Sequence, residues 1–295
     1  MGNLTLHAPA GELSCLVPYQ KQQSEAWRSA YLPQLRTDVE YGYRAIANDP
    51  KYTHFVRIPE RILRCLDHFG IVCDRTETIA RLHSYYLFIG VADEAIDSGH
   101  VDTGERILEH LSTQTSFLDE EIESVKLVTS ILKSHISADA SSLMMSGFRE
   151  LYQEVVSERA SKSIDTYIEN RKAVGRLTAE LSFLLIRPLL APDNQSLCRF
   201  MKQVGEVGCL IDSLIDLTAD HRLGLIMFKP TIMDRVKLVV STLQKGLGVL
   251  VRHPRLSGIF LQAVGDNLRD RFVRSRRTDA HHNVSDRKGE AASVG

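Results

Sequence analysis

The chain has 295 residues, of which 43% are hydrophobic and 25% charged, proportions ordinary for a globular protein with enough apolar side chains for a sizeable core. Lys and Arg number 36 against 37 Asp and Glu, so the net charge of -1 gives no field that argues for nucleic acid, and no nucleic-acid partner is expected. Five cysteines without C-x-x-C or Cys/His zinc spacing, the lack of a basic and apolar leader at the start, and no uncharged apolar run of about 18 residues point to a cytoplasmic protein with no transmembrane segment.

Strand signals are scarce and helical spacing recurs almost everywhere, which predicts an all-α fold, a single large helical bundle of about ten helices. Residues 1–23 read as an irregular N-terminal segment, 24–274 as one α-helical domain, and 275–295 as a disordered tail of charged and small residues. The first helical pattern covers Ser24 to Asn48 with a break at Pro33, and a second helix is expected to open at Pro59 and close near Gly70. A third begins at Thr76 and ends at Ser98-Gly99-His100. Asp102 and Asp119 stand where N-caps would, before the amphipathic runs Arg106 to Leu111 and Ile122 to Ile136. Ser142 to Ala160 and Ser163 to Leu185 follow, with Pro188 breaking the pattern. Asp193 is placed to cap a helix running through Asp220, which Gly224 closes; Pro230 to His253 and Pro254 to Phe272 complete the bundle.

Two of these helices carry acids where the pattern calls for apolar residues. Asp212, Asp216 and Asp220 stand four apart twice over, within a segment otherwise built from Leu, Ile, Val and Cys. On a helix this stacks three carboxylates in one stripe, and each like-charged pair costs about 0.2–0.5 kcal/mol. A divalent cation offsets that cost most simply, since Mg²⁺ is held by one or two carboxylates plus waters and phosphate oxygens. More than a hundred residues earlier, the apolar run from Tyr85 to Ala92 leads into Asp93, Glu94 and Asp97. Gly90 and Gly208 lie about one turn before the two acidic segments and are expected to leave room for a ligand. No Walker A motif, G-x-G-x-x-G loop or HExxH pair is present, so nucleotide binding and zinc hydrolysis have no support.

The segment Leu210-IDSLIDLTADHRLG-Leu225 resembles the second aspartate-rich motif of class I isoprenoid (terpenoid) synthases, in the branch related to squalene and phytoene synthases; its LIDSLID is also similar to bacterial tetraprenyl-curcumene-synthase-like terpene cyclases. Ala92-DEAID-Ser98 resembles the first motif in reduced form, with Glu94 where a second Asp is common. Tyr167-IENRKAVG-Arg176 resembles the helix that carries a tyrosine followed by cavity-lining small residues. Order and separation agree from about Tyr85 to Pro230, roughly half of the chain. Ile215 departs from the pattern, standing where phytoene synthases usually carry arginine, and the fuller DDxxD pair of chain-elongating synthases is absent.

The resemblance implies a bundle of the class I terpenoid synthase type around a central apolar cavity, with prenyl diphosphate as substrate and Mg²⁺ as cofactor, three ions gathered on the diphosphate. Asp93 and Asp97 would serve one side of that cluster and Asp212, Asp216 and Asp220 the other; Asp93, Asp97, Asp212 and Asp216 are the catalytic candidates. Arg171 and Lys229 are the candidate diphosphate-binding cations. Phe88, Tyr167, Phe183 and Gly208 are the candidate cavity residues, the aromatics for cation–π contact with a carbocation. A terpene synthase that cyclises or rearranges its substrate is the leading expectation. A prenyltransferase of the squalene/phytoene type and a non-catalytic helical partner subunit are the alternatives, and homodimerisation is compatible with each. The arginines at 269, 271, 274, 276 and 277 could fold over a diphosphate or touch anionic lipid, although a solvated tail is the plainer reading. All of this requires the two acidic segments to meet across one apolar chamber.

Overall fold

The computed structural model of the chain describes residues 37–98, 103–112, 123–190 and 195–266. Expectations placed on residues 1–36, on the caps Asp102, Asp119 and Asp193, and on the tail with its arginines lie outside the described residues. What is described is an all-α helical bundle: α1 (Thr37–Asn48), α2 (Thr53–His68), α3 (Arg75–Asp97), α4 (Thr103–Ser112), α5 (Glu123–His135), α6 (Ala138–Arg159), α7 (Ile164–Ile186), α8 (Gln195–Arg222), α9 (Ile232–Arg252) and α10 (residues 257–266). Short 3₁₀ turns at Pro50–Tyr52, Arg187–Leu189 and Pro254–Leu256 link several of them. No described helix is long and apolar enough to cross a membrane.

The starts and stops follow side-chain chemistry. Asp74 caps α3 by accepting from the Glu77 amide, and Ser137 and Ser163 do the same for α6 and α7. Thr231 and Asp234 cap α9 reciprocally. Gly70 and Gly224 take φ of 65° and 73°, which only glycine adopts cheaply, and so turn the chain out of α2 and α8. Pro59 is a correction to the sequence reading, since it lies inside α2 rather than at its first turn. Asp49 accepts from the Lys51 amide, Pro50 opens the 3₁₀ turn, and α2 grows directly from it; a proline ring within the helix removes one amide donor while keeping helical φ.

Helix α3 is buried on nearly every side, from Thr78 to Ala92, and several of its polar side chains are bonded internally. Tyr85 donates to the Thr178 carbonyl at 2.8 Å, Tyr86 to Ser182 Oγ at 3.2 Å, and Arg81 to the Leu185 carbonyl at 3.2 Å. Residue numbers rise on α3 as they fall on α7, so the two are antiparallel. The same holds for α7 and α8, where Tyr167 meets Ser213, Arg171 meets Cys209, and Glu180 meets Lys202. Halfway along, Gly175 and Gly205 let the two backbones touch: a methyl group on either would run into the other's carbonyl oxygen. It follows that α3 and α8 run in the same direction, and their acidic segments lie at the same end of the bundle.

Candidate functional site

A cavity of about 630 Å³ opens at that end, within the roughly 300–1,000 Å³ range of small-molecule sites. Its mouth carries Asp93 and Asp97 from α3 and Asp212, Asp216 and Asp220 from α8, so all five predicted carboxylates border one hollow. Deeper in, the walls are apolar, with Phe55 and Ile62 from α2, Tyr86 and Ile89 from α3, and Phe200 and Val204 from α8. Ile259, Phe260 and Val264 of α10 close another side.

Burial and the crowding of negative charge at the mouth raise the carboxyl groups of Asp97 and Asp220. Asp97 is pushed up to about 7, first by desolvation, then by the charge on Asp93, with Asp220 and Glu158 adding to it against the opposing Arg159 guanidinium. Its side chain remains 39% exposed, opening towards the mouth. Asp220 is raised to about 6, again by desolvation first; Arg171 opposes, and Glu158 and Asp93 add. Thus carboxylates from two helices feel one another across the opening.

The cations around this mouth are largely different from those expected. Arg171 does line the cavity, but its guanidinium already donates to both Glu158 oxygens at 3.2 Å, to Ser213 Oγ at 2.9 Å and to the Cys209 carbonyl at 3.3 Å. It braces the junction of α6, α7 and α8. Lys229 is a correction: it is exposed and not among the cavity-lining residues, because Pro230 and the Thr231 cap begin the next helix immediately after it. Arg159 and Lys51 border the mouth instead. Arg159, in the last turn of α6, pairs with Asp97 and donates to the Ile96 carbonyl at 3.3 Å. Lys51 lies 2.8 Å from Glu94, whose other oxygen accepts from the Tyr52 hydroxyl. Despite partial desolvation, these bonds hold the Glu94 carboxyl below its ordinary range.

Sequence reasoning missed Lys51, Tyr52, Glu158 and Arg159. Each is an isolated polar residue at a helix end or turn, where charge is normally solvated, and no spacing distinguishes it. The cavity aromatics were also misassigned. Phe88 is buried edge-on against Phe148, and Phe183 is 5% exposed in the core; neither is among the lining residues, since each lies on a helix face turned towards a neighbouring helix. Tyr167 is fully buried beneath the wall, donating to Ser213 Oγ at 3.2 Å with its ring against Phe228. Tyr52, Phe55, Tyr86, Phe200 and Phe260 are the aromatics that line the hollow.

Of the two glycines expected to leave room, Gly208 does so: it lines the cavity, and a methyl group there would meet nothing within 4 Å. At Gly90 the Phe55 ring fills the space. Comparison with protein-family models, with curated proteins and with solved structures returned no match.

Proposed function

We propose that the protein is a Mg²⁺-dependent class I terpene synthase, which ionises a linear prenyl diphosphate and releases a cyclised or rearranged product with diphosphate. The observation that carries this reading is the junction of two aspartate-bearing helix ends over a single cavity whose interior is apolar and aromatic. Such a cavity suits a ligand with a highly charged head and a hydrocarbon tail. The resemblance of the two acidic segments to the motifs of that superfamily agrees with it.

The donor set fits magnesium. Among the described residues no group of three or more His, Cys, Asp or Glu side chains forms a ready-made metal cage. Mg²⁺ does not require one, because it keeps several waters and takes one or two carboxylates together with phosphate oxygens. Asp93 and Asp97 on one side, and Asp212, Asp216 and Asp220 on the other, are the residues to hold it. Bound there, it would supply positive charge to the phosphoryl oxygens of the leaving group.

The chain's own residues do the remainder. Arg159 and Lys51 set positive charge at the rim. Arg171 positions the wall by tying Glu158 of α6 to α7 and α8. When the allylic carbon–oxygen bond breaks, its electron pair leaves with diphosphate, and the carbocation faces Phe55, Tyr86, Phe200 and Phe260. Each ring face contributes about 0.5–2 kcal/mol of cation–π attraction, while the apolar wall keeps water from quenching the cation. Purified protein incubated with Mg²⁺ and geranyl, farnesyl, geranylgeranyl or geranylfarnesyl diphosphate is expected to release diphosphate from at least one, and to lose that activity in Asp212→Ala and Asp216→Ala. Release from none of them overturns the reading.

A further inference from the structure

One face of the bundle is built contrary to a water-facing surface. Helix α9 buries Leu238, Thr242, Gly246 and Val249 against the bundle. On its outer side Ile232, Val236, Val240, Leu243, Leu247 and Val251 recur at steps of three or four residues and so form one continuous stripe. Their exposure runs from 46% at Val240 to 83% at Ile232, and among the described residues nothing covers them. The loop before α9 extends the same character with Leu223 at 72% and Met227 at 69% exposure.

Charge identifies what this face meets. From Arg222 to Gly265 the chain carries seven cations, Arg222, Lys229, Arg235, Lys237, Lys245, Arg252 and Arg255, against one acid, Asp234. All seven are exposed, but Lys237 is paired with Asp165 at 2.7 Å and Lys245 with Glu206 at 2.6 Å, so the surplus rests on Arg222, Lys229, Arg235, Arg252 and Arg255, while Asp234 is bonded into the Thr231 cap. The chain as a whole is balanced, so this is a local surplus. At helical spacing Arg235 lies beside one edge of the stripe, where it donates to Thr218 Oγ1 at 2.6 Å, and Lys237 beside the other, where it is paired with Asp165; both are exposed. An apolar helix face flanked by Lys and Arg suits the interface of an anionic bilayer, where side chains enter the acyl boundary and cations meet headgroup phosphates. Pairing with the same face of a second copy would bring like charges together.

We propose that α9 and the loop 223–231 dock the protein on an anionic lipid surface. The docking helix adjoins the cavity, since Leu225 and Ile226 of that loop line it close to Asp220 in the chain. Docking therefore sets the mouth near the lipid, where amphiphiles with anionic heads are concentrated. The inference stands apart from the terpene synthase reading, because lipid binding is measured without turnover.

Co-sedimentation of the full chain with vesicles tests it, using phosphatidylcholine alone and phosphatidylcholine mixed with phosphatidylserine. Binding to the mixed vesicles, weakened by salt and much reduced on the neutral ones, is expected. Arg252→Ala with Arg255→Ala should lower partitioning by about 25-fold, at about five-fold for each cation near an anionic surface. Leu243→Glu with Leu247→Glu should abolish it, and Leu247→Asp with Val251→Asp gives a second apolar test; circular dichroism identifies any variant that fails to fold. No binding, equal binding to both vesicle types, or binding that survives in a folded apolar variant overturns the proposal. So does a dimer in light scattering that the apolar variants dissociate without any effect on lipid.

Discussion

Replacing Arg171 by methionine leaves Glu158 facing the wall without its guanidinium. The pair is well shielded, with Arg171 20% and Glu158 13% exposed, and the lost contacts include both carboxylate oxygens, Ser213 and the Cys209 carbonyl. Removing one partner of a buried ion pair costs about 3–5 kcal/mol, mainly because the remaining charge stays desolvated. At roughly 2–4 °C per kcal/mol for larger domains, the melting temperature should fall by about 10 °C at pH 8. Glu158 already titrates above its ordinary value, through burial first and Asp93 in part, against the opposing Arg171. A carboxyl raised in the folded state lends relative stability at low pH and loses it as pH rises through the folded value. The deficit of Arg171→Met should therefore shrink on acidification, as Glu158 takes up its proton. Adding Glu158→Gln to Arg171→Met should recover most of the loss at pH 8, for it removes the stranded charge. Thermal melts of both single variants and the double variant form a complete cycle. A single variant within about 1 °C of the parent, or a double variant no more stable than Arg171→Met, would refute the charge argument.

Asp97 gives a second pH signature: raised from its ordinary 3.8 to about 7, it binds more protons folded than unfolded across that window, so stability should decline as pH rises through it. Asp97→Asn should flatten that decline in melting temperature measured against pH, and Mg²⁺ should stabilise the parent more at pH 8 than at pH 5; identical profiles for parent and variant would count against it. Gly208→Ala should stabilise by up to about 1 kcal/mol through helix propensity, because its methyl group meets nothing within 4 Å. In the same melts Gly205→Ala should lose about 1–3 kcal/mol or more, as its methyl group would overlap the Gly175 carbonyl.

The all-α architecture was legible in the sequence because helical spacing acts locally, and the run opening at Ser163 begins where that side chain caps α7. The acidic segments were legible for a similar reason, since carboxylates four apart in an apolar run defy the usual pattern. What could not be read was which face of each helix meets the hollow. Phe88 and Ile89 are neighbours in sequence, yet only Ile89 lines the cavity, a difference set by the packing of α3 among its neighbours. The polar surround was hidden too. Lys51 and Glu94 are 43 residues apart, Arg159 and Asp97 are 62 apart, and neither pairing leaves a periodic trace. Pro59 misled because a proline compatible with a first turn also fits, at some cost, within a helix that packs well.

Because α3 and α8 run the same way and both end at the mouth, their macrodipoles add to the carboxylates there, each contributing roughly half a negative charge at its C-terminus. Helix α6 ends beside them at Arg159. The backbone thus adds to the negative charge of the carboxylates at this opening, against the paired cations Lys51 and Arg159. If the protein takes a diphosphate, as proposed, the ligand would enter in the company of divalent ions, an escorted arrival rather than capture in a vacant anion pocket.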